Sequence, residues 1–242
     1  MIGGREEKVY EAYRRLSQEN PSWRYRYDNS YLTSKVLTDY ALLSRVDFDG
    51  KRVVNIGCFE PIDEVYYASR VGEWYAIDIN KEAIDVAQEI VNRELSEELK
   101  GKIRFKVDDA TSLSFPDNSF DIAVSFSTLD HIPSAKCREK AIGEMCRVLK
   151  KGGYLVITVP NRWNLFYRLR VRKGNIKAHG YEYGFSPLEL KGLICKNGMK
   201  IVESTSSSFN PLSFMHLSLR RLGLGGLIKL FGIRFGYLAQ KV

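Results

Sequence analysis

No stretch of this 242-residue chain reaches the roughly 18 uninterrupted apolar residues that a membrane-spanning helix needs. Its first eight residues, from Met1 to Lys8, are charged and lack the apolar core of a secretion signal. Cysteine is scarce, and Cys58, Cys137, Cys146 and Cys195 show no paired spacing. Cys137 and Cys146 share a predicted helix, where nine residues at about 1.5 Å each put them roughly 13 Å apart, too far for a disulfide. Histidine is rarer still, and His179 and His216 form no metal-spaced cluster with cysteine or acid. Internal repeats are missing as well. These absences lead to the expectation of reduced thiols, no metal and a cytoplasmic protein.

What is present suits a buried core. Hydrophobic residues make up 44% of the chain, enough for one α/β domain with appendages. From Lys51 to Pro160 strand and helix patterns alternate. Strands are predicted at Arg52–Ile56, Trp74–Ile77, Ile103–Val107, Phe120–Phe126 and Tyr154–Val159. Between them, Pro61 suits the first turn of a helix running to about Arg70, with Asp63 and Glu64 at its positive end. Asn80 suits the cap of a second helix that Gly101 ends, with Ala83, Ile84, Ala87 and Val91 on one face. Pro133 opens a third, and Gly152-Gly153 turns the chain into the fifth strand. Repeated strand–helix units with short links predict a parallel sheet covered on both faces, whose ligands bind at the strands' carboxyl ends.

Past Pro160 the rhythm changes. A basic segment at 161–179 precedes a helix at Pro187–Lys196 and a strand at Met199–Glu203. A Leu- and Gly-rich stretch lies within a second appendage at 205–232, and a closing strand runs over Ile233–Ala239. Residues 1–45 read as an amphipathic helical cap, leaving 46–242 for the main domain.

The strongest signal is the interval from Gly57 to Asp78. One strand stops at a glycine, a helix crosses over, and twenty-one positions later a second strand stops at an acid. That pattern forms a nucleoside half-site, in which the carboxylate accepts both ribose hydroxyls.

Five segments then fall in order: Val53-Val-Asn-Ile-Gly-Cys58, Tyr75-Ala-Ile-Asp78, Asp108-Asp-Ala110, Phe115-Pro-Asp-Asn-Ser-Phe-Asp-Ile-Ala-Val124 and Glu144-Met-Cys-Arg-Val-Leu-Lys-Lys-Gly-Gly153. Over residues 50–160 the chain resembles the class I S-adenosylmethionine-dependent methyltransferases, of methyltransferase type 11-like pattern. The resemblance implies a three-layer sandwich with a seven-stranded, mostly parallel Rossmann-like sheet whose last strand is antiparallel, and S-adenosyl-L-methionine as cofactor. It also implies roles. Gly57 and its neighbours Asn55, Cys58 and Phe59 pass beneath the methionine moiety. Asp78, followed by Ile79, binds the ribose; Asp109, followed by Ala110, accepts from the adenine amino group; and Phe126 lines the cleft. Asp108 exchanges roles with Asp109 if the strand end shifts by one residue.

Departures from the family pattern are informative. The first loop usually reads acid-x-Gly-x-Gly-x-Gly, whereas here it is Asn55-Ile-Gly57-Cys-Phe59-Glu-Pro61. Phe59 adds a Cβ where the backbone approaches a ligand, and Pro61 removes a donor. A pyrophosphate-binding loop needs those glycines, so the pattern favours methyl transfer over hydride transfer.

His131 follows the fourth strand on the loop facing the cleft. It reads either as a general base with Asp130 beside it or as a loop histidine that bonds locally. Charge is uneven: 161–179 holds Arg162, Arg168, Arg170, Arg172, Lys173 and Lys177 without an acid, and 204–242 holds five more basic residues without one. Because the whole chain carries +8, the remainder is net acidic at −3. A basic, Leu-rich lid suits an anionic membrane surface or an amphiphilic methyl acceptor; alternatively it packs on the domain with its charges solvated. RNA stacked on Trp163, Phe166 and Tyr167 is the other partner considered, alongside a third reading as a methyltransferase-like binding module without catalysis.

Overall fold

The computed structural model describes residues 35–59, 61–164, 167–169, 182–207 and 232–242. Its sheet contains β1 Arg52–Ile56, β2 Glu73–Asp78, β3 Ile103–Val107, β4 Phe120–Phe126, β5 Leu149–Pro160, β6 Met199–Ser207 and β7 Arg234–Lys241. The order is β3-β2-β1-β4-β5-β7-β6, with β7 antiparallel to both neighbours and the β1 to β5 ladders parallel. Strand order reverses between β1 and β4. At such a point the flanking crossovers leave on opposite faces and open a crevice at the carboxyl edge.

Helices α1 Ala41–Leu43, α2 Ile62–Tyr67, α3 Lys81–Glu94, α4 Glu97–Lys100, α5 Ala135–Val148 and α6 Pro187–Lys196 make the outer layers. On one face Ala141, Ile142 and Met145 of α5 and Leu190 and Ile194 of α6 pack with Ile157, Phe235 and Tyr237. On the other, Leu42, Phe48, Tyr67 and Ile84 pack around Trp74, with Phe48 and Tyr67 stacked 4.6 Å apart. The seven-stranded three-layer expectation therefore holds.

Local chemistry sets most element ends. Asn80 Oδ1 accepts from the Glu82 N–H, and Ala83, Ile84, Ala87, Ile90 and Val91 form the buried stripe of α3. Ser186 and Glu189 form a reciprocal capping box at α6. Several boundaries differ from expectation: β2 spans Glu73–Asp78 rather than Trp74–Ile77, β6 runs to Ser207 rather than Glu203, β7 spans Arg234–Lys241 rather than Ile233–Ala239, and α5 starts at Ala135 after a Ser134 cap rather than at Pro133. α3 ends at Glu94, because Leu95 turns extended and packs with Leu99 in the core; Gly101 instead caps α4. α2 ends at Tyr67 rather than near Arg70. β5 starts at Leu149, pairing with Phe120 across a bulge, so the two glycines lie inside the strand. There a Cβ on Gly153 would sit 2.9 Å from the Asp121 carbonyl.

A π-helical turn, Val36–Tyr40, leads into α1, and the Thr205 hydroxyl bonds to the Leu37 carbonyl. The first 34 residues of the expected cap, and most of the appendages expected at 161–179 and 205–232, lie outside the described residues. Among the described residues no helix is long and apolar enough to cross a membrane.

Candidate functional site

The crevice is built from the tips of β1 to β5. At the end of β1 the Gly57 and Cys58 N–H groups both donate to the Ile77 carbonyl, at 2.8 and 2.9 Å, folding the loop over the tip of β2. Gly57 has φ +78°, and a Cβ there would lie 2.2 Å from the Thr128 side chain. Thr128 in turn donates to the Ile56 carbonyl at 3.1 Å, clasping the loops after β1 and β4. Any side chain at position 57 meets both a steric and a conformational obstacle.

Two residues later Phe59 has φ +30°, which only glycine adopts without strain. Its ring is 44% exposed, and its N–H donates to Asp78 Oδ2 at 3.2 Å. The Asn80 N–H donates to Asp78 Oδ1 at 2.9 Å. A carboxylate oxygen accepts two bonds, so each Asp78 oxygen keeps capacity for a ligand hydroxyl. Burial pushes the Asp78 carboxyl up, while the N–H groups of Asn80, Phe59 and Ile79 and the charge of His131 oppose that shift.

At the tip of β3 the two adjacent acids separate in role. Asp108 Oδ2 accepts from both the N–H and the hydroxyl of Ser114, at 3.1 and 2.5 Å, and Oδ1 accepts from the Asp109 N–H. Asp109 is exposed, and among the described residues its carboxylate accepts only from the Thr111 N–H, at 2.8 Å. Ile79 and Val107, at the tips of adjacent strands, expose apolar side chains at 71% and 47%. An exposed apolar pair beside an open carboxylate suits an aromatic base with an exocyclic amine. Ala110 packs partly against the core nearby.

Asn55 and Cys58 are brought beneath the loop rather than into the crevice: both are buried. Asn55 Nδ2 donates to Glu64 Oε1 at 2.7 Å, and Trp74 Nε1 donates to the same oxygen at 3.0 Å. Thus the acid absent from position 55 is supplied nine residues later by α2. Burial, then the charge of Asp63, pushes the Glu64 carboxyl up to about 8. Cys58 is likewise pushed well up by burial.

Below β4 and β5 lies a second polar cluster. Lys35 pairs with Asp39 at 3.2 Å and Asp63 at 3.1 Å, and its Nζ sits 4.8 Å from the Phe126 ring centroid. Asp39 also accepts from Thr158 Oγ1 at 2.6 Å and pairs with Arg234 at 3.2 Å. Phe126 is half-buried at the β4 tip. His131 closes a short 3-10 turn, Leu129–His131, with its side chain 47% exposed.

Both appendages are rooted at this same edge. The Asn161 N–H donates to the Ile233 carbonyl and the Ile233 N–H to the Ser207 carbonyl, both at 2.8 Å. The Phe185 N–H donates to the Pro160 carbonyl at 3.1 Å. Four chain segments therefore meet at the end of β5.

Thr128, Val107, Glu64 and Lys35 are absent from the sequence-based candidates. Only Glu64 carried a local signal, as an acid in the helix that follows a loop whose position 55 lacks the usual acid. Among the described residues no group of three or more His, Cys, Asp or Glu side chains could hold a metal ion.

Comparisons with known proteins agree on this domain. A family model described as a methyltransferase domain matches residues 54–157. A demethylmenaquinone methyltransferase of Bacteroides fragilis is 45% identical over 91 residues, 36% of this chain, and the match spans only about a third of that protein's length (34%). A ubiquinone biosynthesis O-methyltransferase of Bartonella tribocorum is 26% identical over 83% of this chain and 80% of its own. The crystal structure of a SAM-dependent methyltransferase from Methanosarcina mazei superposes with a TM-score of 0.62 at 26% identity, covering 84% of this chain and 97% of that one.

Proposed function

We propose that this chain, a member of the class I S-adenosylmethionine-dependent methyltransferase family, methylates a small or amphiphilic acceptor in the crevice at the carboxyl edge of its sheet. The observation that carries this reading is Asp78: a carboxylate at the β2 tip, oriented by two backbone N–H groups, with acceptor capacity left on both oxygens. When bound, the cofactor supplies an electrophilic methyl group on a sulfonium whose departure leaves a neutral thioether.

The chain's own residues divide the remaining work. Asp78 takes the ribose hydroxyls beside Ile79, and Asp109, next to Ala110, takes the adenine amino group. The backbone from Gly57 to Phe59 forms the floor under the methionine moiety. Asn55 and Cys58 act from below, by holding that floor in place. Phe126 lines the cleft, and His131 accepts the acceptor's proton. Positioning alone supplies much of the rate when the leaving group is this good.

An amphiphilic acceptor is supported by where the appendages are rooted and by their composition. The sequence at 165–181 and 208–231 holds eight lysine and arginine residues and no acid, joined to the domain beside the crevice. Relatives named for demethylmenaquinone and ubiquinone biosynthesis point to the same class. We further propose peripheral contact with an anionic membrane surface through these segments.

Two experiments test this. Calorimetric titration with S-adenosylmethionine and its demethylated product should give heat with both; no heat with either would leave a binding module without catalysis. Labelled methyl donor should then be offered with a demethylated quinol in anionic vesicles, a soluble catechol and bulk RNA. Label in the quinol or catechol is the expected result. Salt-sensitive labelling of RNA alone would replace the acceptor class.

A further inference from the structure

We infer that buried Asp130 is a positioning residue that sets the orientation and protonation of His131, completing an acid–base pair at the mouth of the crevice. This rests on the role proposed above for His131. The pair spans the surface: Asp130 is only 2% exposed, whereas the His131 side chain beside it is 47% exposed. Asp130 Oδ2 lies 3.6 Å from His131 Nε2, in ion-pair range. On the other side of the carboxyl, Asp130 Oδ1 has no hydrogen-bond partner among the described residues.

The surrounding scaffold holds this pair rigidly. The Tyr183 N–H donates to the Asp130 carbonyl at 2.7 Å. Arg138 donates to the carbonyls of Ile132 and Pro133, at 2.7 and 2.9 Å, while its guanidinium stacks 3.6 Å from the Tyr183 ring centroid. The Tyr183 hydroxyl donates in turn to Glu189 Oε1 at 2.8 Å. Both flanks of the turn are thus fixed by α5 and by the segment leading into α6, the arrangement a preorganised site requires.

Burial pushes the Asp130 carboxyl up; His131 and Arg234 oppose that shift and Glu182 reinforces it. His131 also acts on Asp78, so the imidazole lies within electrostatic reach of the carboxylate assigned to the ribose. A proton leaving the acceptor as its nucleophilic atom takes the methyl group passes to the imidazole, and the Asp130 carboxylate stabilises the cation that results. Atoms balance: the acceptor exchanges one proton for one methyl group, and the proton leaves later to solvent.

Nitrogen-15 NMR of imidazole-labelled protein tests the pairing without any acceptor, with His131 assigned by its loss in His131→Gln. The wild type at alkaline pH should carry its proton on Nε2, facing Asp130. Asp130→Asn should yield a mixture of tautomers, and Asp130→Glu should restore the Nε2 form. A wild-type Nδ1 proton, or a ratio unchanged in Asp130→Asn, overturns the proposal. Methyl transfer to a soluble catechol is the second arm: Asp130→Asn should lower kcat roughly tenfold to a hundredfold at unchanged KM, with the acid limb of its pH profile displaced. A changed tautomer with unchanged kcat would remove His131 from the chemistry while leaving the pairing intact, so the two failures are distinguishable.

Discussion

Two fully buried carboxyls lie near the same edge of this sheet and are held in opposite states. Under β5 and β7, Asp39 sits among Lys35, Arg234, Thr38 and Thr158. Burial alone would raise it, yet the two cations and the Thr158 hydroxyl outweigh burial and hold it below the usual carboxylate value. Under β1 and β2, Glu64 is hydrogen-bonded by the neutral donors of Asn55 and Trp74; burial and then the charge of Asp63 outweigh the opposing charge of Lys35, and it is pushed up to about 8. Equal burial gives opposite charge because Asp39 is paired directly with two cations, whereas Glu64 feels Lys35 only at a distance and Asp63 beside it adds to desolvation. One half of the edge is an ionic lock across distant segments, and the other is a neutral clamp beneath the loop after β1.

Breaking the lock should have the largest effect. Asp39→Ala removes the carboxylate that Lys35 and Arg234 share, leaving Lys35 to Asp63, and removal of one partner from a buried pair costs about 3–5 kcal/mol. Urea unfolding should show that loss at pH 7. In the wild type the Asp39 contribution is present above its unfolded value near 3.8 and disappears as pH falls through its lowered folded value. A loss under about 1 kcal/mol would mean that the cations find other partners, and the comparison would fail.

The clamp predicts the reverse pH dependence. Glu64 ionises near 4.5 when unfolded and near 8 when folded, so the folded chain binds more protons between those values. Its share of the stability is greatest below about 4.5 and declines as pH rises to about 8. The decline is on the order of 3 kcal/mol over the upper part of that range. Glu64→Gln keeps the shape and an acceptor for Asn55 and Trp74 while abolishing the titration. Its unfolding free energy should therefore vary less with pH than that of the wild type, with the variant the more stable of the two at pH 8. Parallel curves for the two proteins would sink the neutral-clamp reading.

At the tip of β2, beside the clamp, Asp78 is partly buried and accepts from the Phe59 and Asn80 N–H groups. Asp78→Ala should weaken S-adenosylmethionine binding by at least about tenfold, since charge-assisted hydrogen bonds contribute roughly 1.5 to 3 kcal/mol each. Calorimetry at pH 7 reads this directly. Affinity within about twofold of wild type would move the nucleoside elsewhere.

Much of this layout was legible in the sequence because it is local. Strands β1, β3 and β4 and helix α6 have the bounds that periodicity and caps predict, and the strand tips place Gly57, Asp78 and Asp109 along one edge. The buried polar partnerships were not legible. Arg234 meets Asp39 across 195 positions, Asp39 meets Thr158 across 119, and Thr128 reaches Ile56 across 72. Hydropathy records that each of these side chains is polar, and nothing local records which partner satisfies it. The α3 terminus was missed for a related reason: Leu95 leaves the helix to fill a tertiary contact that outweighs its helical preference.

Phe59 gives the smallest expected effect and the sharpest test of why the clamp exists. A non-glycine residue at φ +30° stores strain of order 1–3 kcal/mol, and such strain persists only where its surroundings over-determine it. The Asn55–Glu64–Trp74 clamp beneath the loop and the Thr128 clasp beside it are those surroundings. Phe59→Gly removes both the strain and the exposed ring, while adding backbone freedom to the unfolded chain. The two contributions oppose each other, so the unfolding free energy should rise by no more than about 1 kcal/mol. If strain is held by the clamp, adding Phe59→Gly to Glu64→Ala should recover part of the stability that Glu64→Ala loses, and the double-mutant cycle should show coupling of about 0.5 kcal/mol or more. Strict additivity would mean that the loop keeps its conformation unaided, and that the neutral half of the edge serves only to fill space beneath β1.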